Sequence, residues 1–154
     1  MEKAKPIKRH KAMQPLSREH HQGLLLSWKI RTGFSKGVSV ERIKTYLNWF
    51  FSTHLMPHFE AEEEYIFPIL GNEHELVKKA ISQHRRLERL FNTSVDLKRT
   101  ILLIEEELQA HIRFEERILF NEIQQIATTS QLDTIAKLHP DTKFTENTSD
   151  VFWK

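Results

Sequence analysis

Cysteine is absent from the 154-residue chain, which excludes disulfides, thiolate zinc sites and iron–sulfur clusters. The absence suits a reducing compartment, and the chain is expected to be cytoplasmic. Only four Gly and five Pro occur, few breakpoints for a chain of this length, so long helices are expected rather than many short strands. No apolar run approaches the roughly 18 residues that crossing a membrane requires. The basic start "MEKAKPIKRHKAMQPL" lacks the apolar stretch of a secretory signal and reads as a mobile tail. Excess charge is also lacking: a net +2 is too small to argue for nucleic acid as a partner. What is left is the profile of one globular domain, with 39% hydrophobic and 29% charged residues.

Against this plain background, nine histidines stand out. Two of them open nearly the same phrase, "HFEAEEEYIF" from His58 and "HIRFEERILF" from His111. Histidine is the commonest metal ligand of proteins, so its phasing along the helices matters more than its number.

The periodicity predicts four long helices. The first covers Gln14 to Gly33, with Pro15 at its start and Ser17 as candidate cap. The second runs from Val40 to Leu70, capped by Ser39 and kinked at Pro57. A turn at Gly71-Asn72 leads to the third, through Phe91, with Asn72 as cap; the fourth extends from about Leu97 to about Ile126. A short helix over 131–138 and a tail with Phe144, Phe152 and Trp153 complete the chain. The expected fold is all-α, an antiparallel up-down-up-down four-helix bundle with a short C-terminal helix and tail. Its parts are a mobile basic tail at 1–12, the bundle at 13–139, and a tail at 140–154 docked on the bundle.

On a helix, positions i and i+4 share a face. His58 with Glu62 and His111 with Glu115 therefore each present an imidazole and a carboxylate together. Ile101, Ile104 and Leu108 precede His111 on its own side, and Ile118 and Leu119 continue the stripe past Glu115. His84 is bracketed likewise by Val77, Ile81, Leu87 and Phe91. In the first helix His20 and His21 both can reach inward. His21 is chosen because Leu24, Leu25 and Trp28 follow it, and because His84 likewise has a leucine three residues on.

Four helices thus deliver imidazoles into an apolar interior, and two add a glutamate. Unpaired there, each ion would cost several kcal/mol. A buried polar network of these groups and water is the plain alternative; metal coordination satisfies all of them together. Sulfur-free imidazole and carboxylate donors suit iron, manganese or zinc. Four histidines and two carboxylates exceed the needs of one tetrahedral zinc. Divided over two ions, with both carboxylates bridging, they leave room for a bridging oxo or hydroxo group and a small ligand. Two non-haem iron ions fit this count best, with manganese or a mixed pair as alternatives. His54, one turn before His58, is expected beside the site or at the surface, and His10, His74 and His139 in solvent. The glutamate runs are expected on outer faces, with Glu63 or Glu116 able to orient an imidazole.

Taken together, "EHHQGLL", "HFEAEE" with "IFP", "QHRRL" and "HIRFEERILF" resemble the hemerythrin-like, HHE cation-binding family over roughly residues 13–127. The resemblance implies an antiparallel four-helix bundle holding a non-haem, usually di-iron, site. Its metal ligands would be His21, His58, Glu62, His84, His111 and Glu115. Family members carry dioxygen, sense gases or redox state, respond to iron or serve nitrosative-stress repair. Oxygen carriers place a second histidine where this chain has Glu88, and an aspartate five residues after the last ligand histidine, where Glu116 stands. Those departures weigh against reversible oxygen carriage. The expected function is binding or sensing of dioxygen, nitric oxide or iron, with a di-iron oxidase, peroxidase or repair enzyme as the alternative. No histidine has a glutamate three residues before it, against the Glu-x-x-His pattern of ferritin-like oxidases.

Overall fold

The computed structural model describes residues 8–154 and is all-helical, with no strand among the described residues. Most of the expected N-terminal tail, residues 1–7, lies outside them. Residues 8–12 do not behave as a free tail. Arg9 donates to the Glu116 carboxylate at 3.2 Å and carbonyl at 2.7 Å, and Ala12 is buried.

Helix α1, Gln14–Ser35, begins one residue before Pro15, whose missing N–H costs nothing in a first turn. Ser17 lies inside the helix, not at its cap. Helix α2, Val40–Phe50, is capped by Ser39, whose side chain accepts from the Arg42 N–H. Beyond it the chain stays helical through a π turn at Phe51–Leu55, α3 at Met56–Ala61, and a second π turn at Glu62–Ile66. Pro57 explains the first π turn: its ring would crowd the carbonyl of Thr53, and one wider turn relieves the clash.

Helix α4, Glu75–Phe91, is capped by His74 and not by Asn72; the imidazole accepts from the Leu76 N–H at 3.1 Å. Helix α5, Leu97–Phe114, passes through a π turn at Glu115–Leu119 into α6, Phe120–Ile126. Helix α7, Thr129–Leu138, starts with a reciprocal cap between Thr128 and Gln131. No described helix is long and apolar enough to cross a membrane.

Helix α5 packs on α1, α4 and α2. Its approach to α1 is close: a Cβ on Gly23 would stand 2.5 Å from Ile112 Cδ1. The inward stripe of α1 is Leu16, His20, Gly23, Ser27 and Ile30, at steps of three and four. Trp28, expected inside, is 46% exposed. Two small residues on the stripe let the helices touch and push the bulky leucine and tryptophan positions to the flanks.

The core falls into two apolar clusters. Leu26, Ile30, Ile43, Leu87, Ile104 and Leu108 belong to one, and Met13, Leu16, Ile66, Phe67, Leu119 and Phe120 to the other. The C-terminal segment is anchored on the first by Phe152 and by a buried cation. Lys29 Nζ is 2.9 Å from the Tyr46 hydroxyl and 2.5 Å from Glu146, and lies 4.2 Å above the Trp153 ring. Glu146→Ala would leave the ammonium unpaired in the interior, at a cost of about 3 kcal/mol. Urea denaturation should show that loss, whereas Arg42→Ala, which breaks the exposed pair with Asp150, should leave the midpoint unmoved.

Candidate metal centre

On each of four helical segments the chemistry-bearing residue sits between members of the two apolar clusters. His20 lies on α1, His58 on α3 with Glu62 opening the next π turn, His84 on α4, and His111 on α5 with Glu115 opening the last π turn. All six are buried, Glu62, His84 and Glu115 completely. Aromatic stacking holds two of the imidazoles: His84 lies 3.8 Å from Phe59 and His20 lies 5.0 Å from Phe120, centroid to centroid.

The six side chains form two adjoining groups, each with donor atoms within 4.8 Å of one another. His20, His58, Glu62 and Glu115 make one; Glu62, His84, His111 and Glu115 make the other. The two glutamates are common to both. Glu62 Oε1 is 3.2 Å from His58 Nε2 and 3.2 Å from His84 Nε2. Glu115 Oε1 lies 2.8 Å from His20 Nε2 and 3.2 Å from His111 Nε2.

Each imidazole turns Nε2 into the cluster and Nδ1 outward to a polar partner. His20 Nδ1 is 2.6 Å from Glu116, His58 Nδ1 2.6 Å from Glu19, His84 Nδ1 2.7 Å from Glu63 and His111 Nδ1 2.6 Å from Gln83. A neutral imidazole that donates from Nδ1 keeps a bare lone pair on Nε2. Four Nε2 atoms and two carboxylates converge on one buried centre, with His20 Nε2 3.1 Å from His58 Nε2. Both Glu62 oxygens, Glu115 Oε2, His84 Nε2 and His111 Nε2 are buried without a hydrogen-bond partner. Among so many acceptors, a positive charge is what the arrangement lacks.

The ionisation preferences carry the same demand. Burial works against a charged His58, but the Glu62 and Glu19 carboxylates outweigh it and push the imidazole up to about 10. His20 is raised in the same way by Glu115 and Glu116, and His84 by Glu115, Glu62 and Glu63, each against its burial. Burial would raise Glu115, yet the imidazoles of His111, His20 and His84 hold it well below the usual carboxylate range. Protons and metal cations compete for this centre.

The outer partners are themselves tied down. Arg9 reaches Glu116, Arg85 reaches Glu63, and His139 Nε2 lies 2.6 Å from Glu19. Burial would raise Glu19, but the bonds to His139 and His58 hold it at about 2. Such partners fix the ring orientation and the basicity of a ligand histidine.

Five of the six positions expected from the sequence come together: His58, Glu62, His84, His111 and Glu115. His21 does not. It is exposed, and the adjacent His20 supplies the inward imidazole, because the small-residue stripe of α1 runs through His20 and Gly23. Glu63 and Glu116 do orient imidazoles; Glu88 instead pairs with Arg85 at 2.6 Å. Glu19, Gln83 and His139 are the partners missed in the sequence. Glu19 stands beside His20 but serves His58 on another helix, a contact no local spacing reveals. His139 is half-buried, bonded to Glu19 and to the Tyr65 hydroxyl, rather than free in solvent. His10 and His74 spend Nδ1 on backbone N–H groups of the turns they cap.

One side of the centre opens into a cavity of about 670 Å³ that His20, His58 and His111 border. Its other walls come from α1, from the stretch Phe50–Phe59 and from the segment after His139.

Comparison with known families agrees with this geometry. Residues 9–120 match the model of the hemerythrin HHE cation binding domain. No curated protein and no solved structure gives a match. The matched span covers most of the chain and contains all six clustered residues. The chain belongs to the hemerythrin HHE cation-binding domain family.

Proposed function

We propose that the protein is a hemerythrin-like metal-binding protein whose long helices form an antiparallel four-helix bundle around a non-haem di-iron centre. His20 and His58 would hold one ion, His84 and His111 the other, and Glu62 and Glu115 both. The observation that carries this reading is the set of buried donor atoms gathered into two groups that share both glutamates, several of them without a hydrogen-bond partner. Iron suits a mixed imidazole and carboxylate set without sulfur, and manganese is the nearest substitute. Bound there, iron would supply redox chemistry and affinity for dioxygen or nitric oxide.

The chain's own contribution is positional. Glu19, Glu63, Glu116 and Gln83 hold the imidazoles with Nε2 inward, between the two apolar clusters. Binding or sensing of dioxygen, nitric oxide or iron follows as the leading function.

A second reading, a di-iron enzyme, is favoured by one observation. The cavity beside His20 and His58 is far larger than a diatomic ligand requires, and it falls in the usual range for organic ligands.

The assignment of His20 separates this proposal from a polar core without metal. Protein produced with iron should hold two ions per chain by elemental analysis. His21→Ala should retain both, and His20→Ala should lose at least half of the metal. Equal loading of His20→Ala and wild type would defeat the assignment.

A further inference from the structure

The two halves of the centre are anchored from different parts of the chain. Behind His84 and His111 the outer partners are Glu63 and Gln83. The guanidinium on Glu63 belongs to Arg85, which shares helix α4 with His84 and Gln83. Behind His20 and His58 the anchors come from the flanks of the bundle, one before α1 and one after α6. Arg9 holds Glu116, the partner of His20, and His139 holds Glu19, the partner of His58.

These two flanks are packed on each other. A 3-10 turn at Lys11–Met13 follows Arg9, and α7 lies against it. Ala12, Met13, Leu132 and Ile135 share one apolar cluster. The His139 N–H closes α7 on the Ile135 carbonyl at 2.8 Å, so its ring is placed by a docked helix. From there Nε2 lies 2.6 Å from Glu19 and Nδ1 3.0 Å from the Tyr65 hydroxyl. A carboxylate can only accept, so His139 Nε2 and His58 Nδ1 both donate to Glu19, one to each oxygen. The Glu19 side chain is 33% exposed. With one oxygen released it would be free to turn toward water, and His58 would lose the contact that keeps Nε2 inward. The family match spans residues 9–120 and so leaves out α7 and His139.

We propose that these flanking segments form a clasp on the His20 and His58 half of the centre. His139 is its positioning residue: it acts through Glu19 and sets how firmly the ion on that half is retained. The other ion, anchored from within α4, is independent of the clasp. The orientation of His58 stands on the contacts alone, while the effect on retention rests on the di-iron reading.

The test challenges the iron-loaded full chain with excess chelator and follows release of each ion. Outer partners of ligand histidines are worth about 10–100-fold in metal affinity, and His139 stands one contact further out, so His139→Ala should speed the loss of one ion by at least about fivefold. The second ion should leave as slowly as in wild type. His139→Gln, whose amide nitrogen can take the place of Nε2 toward Glu19, should restore the slow rate. Asp141→Ala, which frees the following stretch from Arg18 without touching Glu19, should also release iron slowly. Nitrogen-15 NMR of the metal-free protein gives a second readout. Exchange reports local opening, so the His58 Nδ1 proton should exchange at least about tenfold faster in His139→Ala and at the wild-type rate in His139→Gln. Equal release from wild type and His139→Ala, equal acceleration of both ions, or the same acceleration in Asp141→Ala would overturn the proposal. A wild type that carries no metal but shows the NMR difference would remove the metal reading and keep the positioning of His58.

Discussion

Glu62→Ala is expected to empty the centre of both ions, not one. Glu62 belongs to both donor groups, 3.2 Å from a histidine of each, so its removal would take a ligand from each of the two proposed ions at once. It also leaves four imidazoles facing one another with a single carboxylate between them. Metal content per chain should fall from two to near zero, and Glu115→Ala should behave alike. His111→Ala differs in kind, since it touches only the group that His84 shares; there loss should be partial and confined to one ion. Elemental analysis of the three variants beside wild type checks the ranking. Equal residual metal in Glu62→Ala and His111→Ala would refute shared coordination.

Chelation should lower the thermal midpoint by about 10 °C. Metal at a thousand times its dissociation constant stabilises the folded chain by about 4 kcal/mol, and in a domain of this size each kcal/mol moves the midpoint by roughly 2–4 °C. The gain must depend on pH, and its sign follows from the imidazoles. In the metal-free protein the carboxylates raise His58, His20 and His84, so these donors hold protons more tightly than free imidazoles do and a metal must displace them. Binding therefore releases protons, and affinity falls as pH falls. Differential scanning fluorimetry with and without chelator should show a wider gap at pH 8 than at pH 6. A gap that widens toward acid would contradict direct coordination by these histidines.

Much of this was legible in the sequence, for reasons that particular residues make plain. His58 with Glu62 and His111 with Glu115 are local pairs, fixed by one helical turn, and local pairs survive translation into three dimensions. His84 could be read because apolar neighbours bracket it at helical spacing. The choice between His20 and His21 could not be made that way. Bulky residues at 24, 25 and 28 suggested one face, but close packing of α1 on α5 needed glycine and serine on the true inner face. Small residues carry no hydrophobic signal, so a stripe built from them is invisible to periodicity. Ile118 was misplaced for a second reason. Of the two residues expected to continue the stripe past Glu115, Leu119 is fully buried, but Ile118, seven residues after His111, is 47% exposed. The π turn at Glu115–Leu119 inserts one extra residue per turn. The same shift appears after His58, where Ile66 is fully buried and Tyr65 is only half-buried. Contacts between helices, such as Glu19 with His58, needed the fold itself.

Those wider turns also decide where the chain can change length. Deleting a single residue between Glu115 and Leu119 would restore ordinary winding and leave everything downstream in phase. Deleting one from the ordinary turns of α5 just before Glu115, with the π turn kept, would instead swing everything downstream by about 100° around the helix axis. Glu115, Phe120, which is stacked on His20, and Ile123 would then leave the interior together. The π turn should therefore tolerate the loss of one position far better than the ordinary turns on either side of it.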